Sequence, residues 1–287
     1  MPEGDSIFRA ARTLNRALGG RTVTRFETVF PHLTRLAVDQ PVRGRVIERV
    51  ESRGKHLLMW LSGGLVLRTH MRMKGSWHIY RPGERWQRPH HDMRIAIGTD
   101  DFEAIAFNVP VAEFLAARDV ERHSVLSELG PDPLSDSFDA AQAVARIAAR
   151  GEVEIADALL DQHAMAGIGN IYKSETLFMC RVNPFTPVRD LDDATIRQLV
   201  TTATKLLRLN VTDASGSGIV TYAGLRVTTR RADPSARLWV YGRSGLPCRH
   251  CGGPISRQKQ GPNARSTYWC ERCQPRGVRR QPEDPTR

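Results

Sequence analysis

Apolar residues recur at helical spacing at the start of the chain: Ile7, Ala11, Leu14 and Leu18 fall on one face, and Gly19-Gly20 supplies a stop. The pattern predicts an amphipathic helix over residues 5–18. From residue 21 to 107 the texture changes to short β-rich runs: Arg21 to Phe26, Gly44 to Val50, His56 to Leu61, Leu65 to His70, Ser76 to Tyr80, Met93 to Ile97 and Glu103 to Phe107. Gly63-Gly64, Pro82-Gly83 and Thr99-Asp100-Asp101 punctuate these runs, which predicts an antiparallel β-sandwich. Residues 118–137, containing Gly130-Pro131-Asp132-Pro133, read as a linker. The helical period returns in Phe138 to Ala149, Glu154 to Asp161, Asn170 to Cys180 and Asp192 to Asn210, predicting a second, largely helical domain. The expected fold class is therefore α+β with two domains: a sandwich domain over 1–117, the linker, and a helical domain over 138–237. A short-stranded, cysteine-bearing segment over 238–274 and a polar tail over 275–287, expected to be disordered, follow it.

Composition narrows the class. The chain has 287 residues, 40% hydrophobic and 25% charged, which suits a globular protein with two cores. No run reaches the length of a membrane span and no signal peptide opens the chain, so an intracellular protein is expected. The 42 Lys+Arg against 31 Asp+Glu leave a net charge of +11, which favours a polyanionic partner, with nucleic acid preferred to membrane.

Four of the five cysteines form two Cys-x-x-Cys pairs, Cys248/Cys251 and Cys270/Cys273, at the spacing of a tetrathiolate zinc site at the ends of a small hairpin. Four thiolates leave no open coordination position. One Zn2+ is expected, and it is structural: it fixes the loop from Arg257 to Tyr268, whose Lys259 and Arg265 could meet phosphates. His250 is a bystander, and Cys180, in the apolar run Leu177-Phe178-Met179-Cys180, reads as an inert core thiol.

Three further elements carry candidate chemistry. Removal of Met1 would leave Pro2 as a secondary amine beside Glu3. An α-amino group titrates near pKa ~7.7–8.0, so a useful fraction is neutral at physiological pH. Such an amine can attack an aldehyde-level carbon to give an iminium ion; equally, Met-Pro-Glu is an ordinary way for a chain to begin. The segment Gln162 to Tyr172 joins two apolar-periodic helices through a turn with Gly167 and Gly169, the second helix opening at or near Asn170. Its outward N–H groups and dipole suit a phosphate, and the glycines would admit a close DNA backbone; an ordinary helix corner needs the same glycines. Lys55, after Gly54 at the start of a β-run, is either solvated or paired with a phosphate flanking a reacting sugar.

Together these residues resemble the formamidopyrimidine-DNA glycosylase and endonuclease VIII family of base-excision repair enzymes. The likeness runs from Pro2 to Gln274. It includes the Pro-Glu-Gly start, Gly54-Lys55-His56-Leu57-Leu58, the Ala166-Gly167-Ile168-Gly169-Asn170-Ile171-Tyr172 helix-two-turn-helix, Trp239 to Arg243, and the finger ending at Arg265 to Gln274. The resemblance implies a monomeric bifunctional glycosylase and abasic-site lyase acting on damaged double-stranded DNA, with DNA held between the two domains and the damaged base flipped out. On this likeness Pro2 is the nucleophile and Glu3 the proton shuttle. Lys55, Asn170 and Arg265 match phosphate-binding residues, with Lys55 beside the reacting sugar. Met73, in His70 to Ser76, matches the wedge that fills the space left by the flipped base.

The chain departs from the family pattern at three places. Asp5-Ser6 stand where many members carry Pro-Glu. Phe107 to Val111 replaces the second wedge loop. The segment Asp213 to Thr229 reads differently from the base-capping loop of the formamidopyrimidine branch. The start and the Gly-Lys-His-Leu strand look more like the endonuclease VIII branch, so oxidised pyrimidines are the expected substrates. The alternatives are oxidised purines such as 8-oxoguanine, or damage binding without base excision.

Overall fold

A computed structural model describes residues 2–211, 226–229 and 236–276. The expected tail over 275–287 lies outside the described residues from 277 onward, as does most of Asp213–Thr229. Among the described residues the chain divides into two compact units, one running to Glu128 and the other beginning at Leu129.

The first unit opens with helix α1 (Gly4–Leu18), whose Ile7, Ala11, Leu14 and Leu18 are all buried, as the period requires. Strand β1 (Arg25–Thr28) leads to helix α2 (Pro31–Asp39), then β2 (Ile47–Arg53), β3 (His56–Leu61), β4 (Leu65–His70), β5 (Ser76–Tyr80), β6 (Met93–Gly98), β7 (Glu103–Phe107) and β8 (Val111–Ala116). These strands form two antiparallel sheets, ordered β1-β6-β7-β5 and β2-β3-β4-β8. Alternation along β3 sends Leu57, Met59 and Leu61 inward to meet Trp77, Ile95, Ile97 and Ala106 of the other sheet, with α1 closing the same core. The outward face of β2-β3-β4-β8 carries His56, Arg68, His70 and Glu113 beside Leu58 and Val66. The stretch expected as a linker carries most of a 3-10 helix, Ala117–Arg122, and a short helix, α3 (Ser124–Ser127), and the division between units falls within it.

The second unit contains helices α4 (Ala140–Ala148), α5 (Ile155–Leu160), α6 (Asn170–Met179) and α7 (Asp193–Leu209), and the antiparallel hairpin β9 (Ile255–Gln260) with β10 (Arg265–Cys270). Asp139 and Asp192 cap α4 and α7, accepting from Gln142 N at 2.9 Å and Thr195 N at 2.8 Å. Helix α6 is buried on every side from Asn170 to Phe178, the signature of a central helix. Its Glu175 carboxylate is fully buried and accepts the backbone N–H groups of Trp239, Val240 and Tyr241 at 2.8, 2.9 and 2.8 Å. That arrangement accounts for the Trp239 to Arg243 stretch: its backbone wraps one carboxylate. No described helix is long and apolar enough to cross a membrane.

Candidate functional site

The first cluster lies at one end of the sandwich. Gly20 N–H donates to Ile47 O at 2.8 Å, and Val50 N–H donates to Asn15 Oδ1 at 2.7 Å. Helix α1 therefore runs antiparallel beside β2, and its N-terminus points toward Arg53 and the turn that follows. From Asn15 back to Pro2 is roughly 20 Å of helix, and from Val50 to Arg53 about 10 Å of strand before the turn, so both run toward the same end. Pro2 is half-buried there. Glu3 is the helix N-cap, fully buried, its carbonyl accepting from Ser6 N at 2.9 Å and Ile7 N at 3.1 Å. Asp5 is also fully buried, and it turns along the helix toward Arg9, 3.4 Å away. Its carboxylate thus braces the first turn of α1.

Lys55 is not in a strand. With Gly54 it forms the two-residue turn between β2 and β3, where Arg53 pairs with His56 and Gly54 holds φ +57. In the next register His56 faces His70, so the end of β4 and the loop after it stand beside the Lys55 turn. His70 is a residue the sequence reading missed. Its Nδ1 accepts the Arg72 N–H at 3.0 Å, which leaves the proton of the neutral ring on Nε2. Burial, then the charges of Arg72, Lys55 and Arg68, push its pKa down to about 4, so the ring is a neutral donor at pH 7. The loop from Met71 to Gly75 is tight. Gly75 N–H donates to Met71 O at 2.9 Å, and a Cβ at Gly75 would lie 2.5 Å from that oxygen. Met71 is fully buried, whereas Met73 is 53% exposed at the tip, the disposition a wedge needs. In the loop from Phe107 to Val111, Val109 is buried, Asn108 N–H is bound to Asp92 O at 2.8 Å, and Pro110 is exposed.

The second cluster is in the helical unit. Gln162 organises the turn between α5 and α6: its Nε2 donates to Leu160 O at 2.7 Å and Ile168 O at 3.0 Å, and its Oε1 accepts from Gly167 N at 3.1 Å. Gly167 holds φ +87, a left-handed conformation that suits glycine, whereas Gly169, the N-cap, is extended at φ -123. Asn170 is the first residue of α6. Its Nδ2 donates to Ser266 O at 2.6 Å, its Oδ1 is buried without a partner, and the side chain thereby meets the strand that begins at exposed Arg265.

The four cysteine sulfurs lie within 4.8 Å of one another, with Cys248 to Cys273 at 3.8 Å and Cys251 to Cys270 at 3.4 Å. Thiolates bound about 2.3 Å from one tetrahedral Zn2+ stand roughly 3.8 Å apart, so the set fits the ion, and no pair is close enough for a disulfide. Cys180 is separate. Burial pushes its pKa up to about 11, and its Sγ lies 3.3 Å from Thr202 Oγ1, in keeping with an inert thiol.

Three family models match: the formamidopyrimidine-DNA glycosylase N-terminal domain over residues 1–110, the H2TH domain over 129–221, and a zinc finger found in FPG and IleRS over 245–276. A probable endonuclease 8 2 of Streptomyces coelicolor is 39% identical over 277 residues, covering 96% of this chain and 94% of that one. A DNA-(apurinic or apyrimidinic site) lyase of Mycolicibacterium smegmatis is 37% identical, covering 96% and 99%. A Lactococcus lactis Fpg structure with an oxidised-pyrimidine-containing DNA matches with a TM-score of 0.81 at 22% identity, covering 96% of this chain and 100% of that one, a likeness of fold.

Proposed function

This chain belongs to the formamidopyrimidine-DNA glycosylase and endonuclease 8 family, and on that premise we propose that it is a bifunctional DNA glycosylase and abasic-site lyase of base-excision repair. With Met1 removed, the Pro2 amine attacks C1′ of the damaged nucleotide. The bond from C1′ to the base breaks as the base takes up a proton, and the opened sugar becomes an iminium linked to Pro2. Glu3 shuttles protons: it supplies one to the leaving base or opening sugar and then accepts the proton lost from C2′. That loss expels the 3′ phosphate, loss of the C4′ proton then expels the 5′ phosphate, and water hydrolyses the iminium to free Pro2.

Lys55 and the neutral Nε2–H of His70 bind phosphate beside the reacting sugar. Gly167, Gly169, Asn170 and Arg265 receive the backbone from the helical unit, and Met73 fills the gap left by the flipped base. One Zn2+ on Cys248, Cys251, Cys270 and Cys273 holds the finger's shape without touching the reaction. The protein acts as a monomer on damaged duplex DNA inside the cell. Support for this reading comes foremost from the course of α1 along β2, which runs Pro2 and Glu3 toward the same end of the sandwich as the Lys55 turn.

Oxidised pyrimidines are the favoured substrates, on the likeness of the Pro-Glu-Gly start and the Gly-Lys-His-Leu segment to the endonuclease VIII branch. Duplexes carrying a single oxidised pyrimidine, 8-oxoguanine or an abasic site, incubated with the Met1-processed protein and resolved on a denaturing gel, test it. Faster incision at the oxidised pyrimidine is expected. Faster incision at 8-oxoguanine would reverse the preference, and binding without incision would leave a damage-binding protein.

A further inference from the structure

Lys173 lies three residues after Asn170 on α6 and is fully buried. Removing an ammonium from water is costly unless its donors are met. Its Nζ donates to Thr267 Oγ1 at 2.7 Å, and the buried Thr267 hydroxyl donates in turn to Gln260 Oε1 at 2.7 Å. Gln260 Nε2 completes the run, donating to Glu154 Oε2 at 2.7 Å and Pro184 O at 3.0 Å. Asp157 on α5 feels the same charge, its pKa pushed up by burial and drawn back by Lys173.

Gln260 and Thr267 flank the exposed Arg265. Gln260 is the cross-strand partner of Arg265, and Thr267 is two residues along β10 from Arg265, on the same face. Asn170 holds the residue between them through Ser266 O. Its burial against the finger gives Lys173 a task that a solvated lysine would not have.

We propose that Lys173 is a positioning residue for Arg265: it seats β10 on the first turn of α6 so that the Arg265 guanidinium is held where Asn170 meets the DNA backbone. The proposal rests on the reading of Arg265 and Asn170 as phosphate contacts. It is tested with the full-length zinc-loaded protein and a short duplex carrying a tetrahydrofuran abasic-site analogue, by measuring Kd across a salt series for Lys173→Met, Arg265→Ala and the double variant. Lys173→Met should weaken binding roughly tenfold, the scale of one lost charge-assisted hydrogen bond. It should also lower the salt slope by about one, as loss of a phosphate contact does, and Arg265→Ala should do the same.

The double variant should bind no more weakly than Arg265→Ala alone, because Lys173 acts through Arg265. Additive losses with an unchanged slope in Lys173→Met would overturn the proposal and leave Lys173 a purely structural residue. Thr267→Val, which deletes the acceptor with little change of shape, carries the same comparison if Lys173→Met does not fold, and wild-type binding by Thr267→Val would overturn the proposal as well. Unchanged affinity in Arg265→Ala would instead remove the phosphate reading on which it rests.

Discussion

His56 and His70 face each other across β3 and β4 with ring centroids 4.7 Å apart, edge to face. Burial first, and the neighbouring charges of His70, Arg68, His123 and Arg72 second, push His56 down to about 2, and His70 is down to about 4. Both are neutral in the folded protein and would be protonated in the unfolded chain below about pH 6.5. Their contribution is therefore fully present above pH ~6.5 and is lost as pH falls, through about 4 for His70 and about 2 for His56. Denaturant titrations should show stability falling by about 2 kcal/mol per histidine between pH 7 and about pH 4.5. Equal stability at both pH values would show that the rings are not held neutral.

Zinc should set the finger's shape. Metal analysis should find one zinc per chain, and chelation should lower the melting temperature and abolish binding to abasic-site DNA. Chelation that leaves both unchanged would contradict a structural metal on Cys248, Cys251, Cys270 and Cys273.

Gly167 tests the turn between α5 and α6. With φ at +87 and its N–H on Gln162 Oε1, Gly167→Ala strains the backbone at the turn proposed to receive the DNA. A loss of about 1–2 kcal/mol of stability is expected from the left-handed conformation, with weaker DNA binding alongside. Thermal melts and anisotropy on the same samples read both.

Met71 and Met73 separate packing from function within one loop. Met71→Ala should cost about 2–5 kcal/mol of stability, the scale of a truncated core methionine. Met73→Ala, at an exposed tip, should leave stability within about 0.5 kcal/mol. It should nonetheless slow incision at a base-paired lesion by about tenfold or more, since unstacking costs a few kcal/mol that a wedge would offset. Incision at wild-type rate by Met73→Ala would remove the wedge assignment.

Strong local patterns made much of this legible in advance. The period of Ile7, Ala11, Leu14 and Leu18 gave α1, β-rich runs on either side of Gly63-Gly64 gave β3 and β4, and the glycines at 167 and 169 marked the opening of α6 at Asn170. Helix α2 escaped because it buries only Leu33, too little to impose a period. Strand β8 escaped because it is mostly half-buried and does not alternate. Residues defined by pairing at a distance could not be read from spacing. His70 gains its meaning from the register that sets it beside Lys55, and Lys173 from a threonine 94 residues away.

The proposed chemistry turns on Pro2 as the nucleophile. The direct measurement is borohydride trapping of the Met1-processed protein on abasic-site DNA, beside Pro2→Gly. A covalent protein–DNA complex should form with the processed wild type and be greatly reduced in Pro2→Gly. Absence of the complex in correctly processed protein, or equal trapping by the variant, would contradict the mechanism.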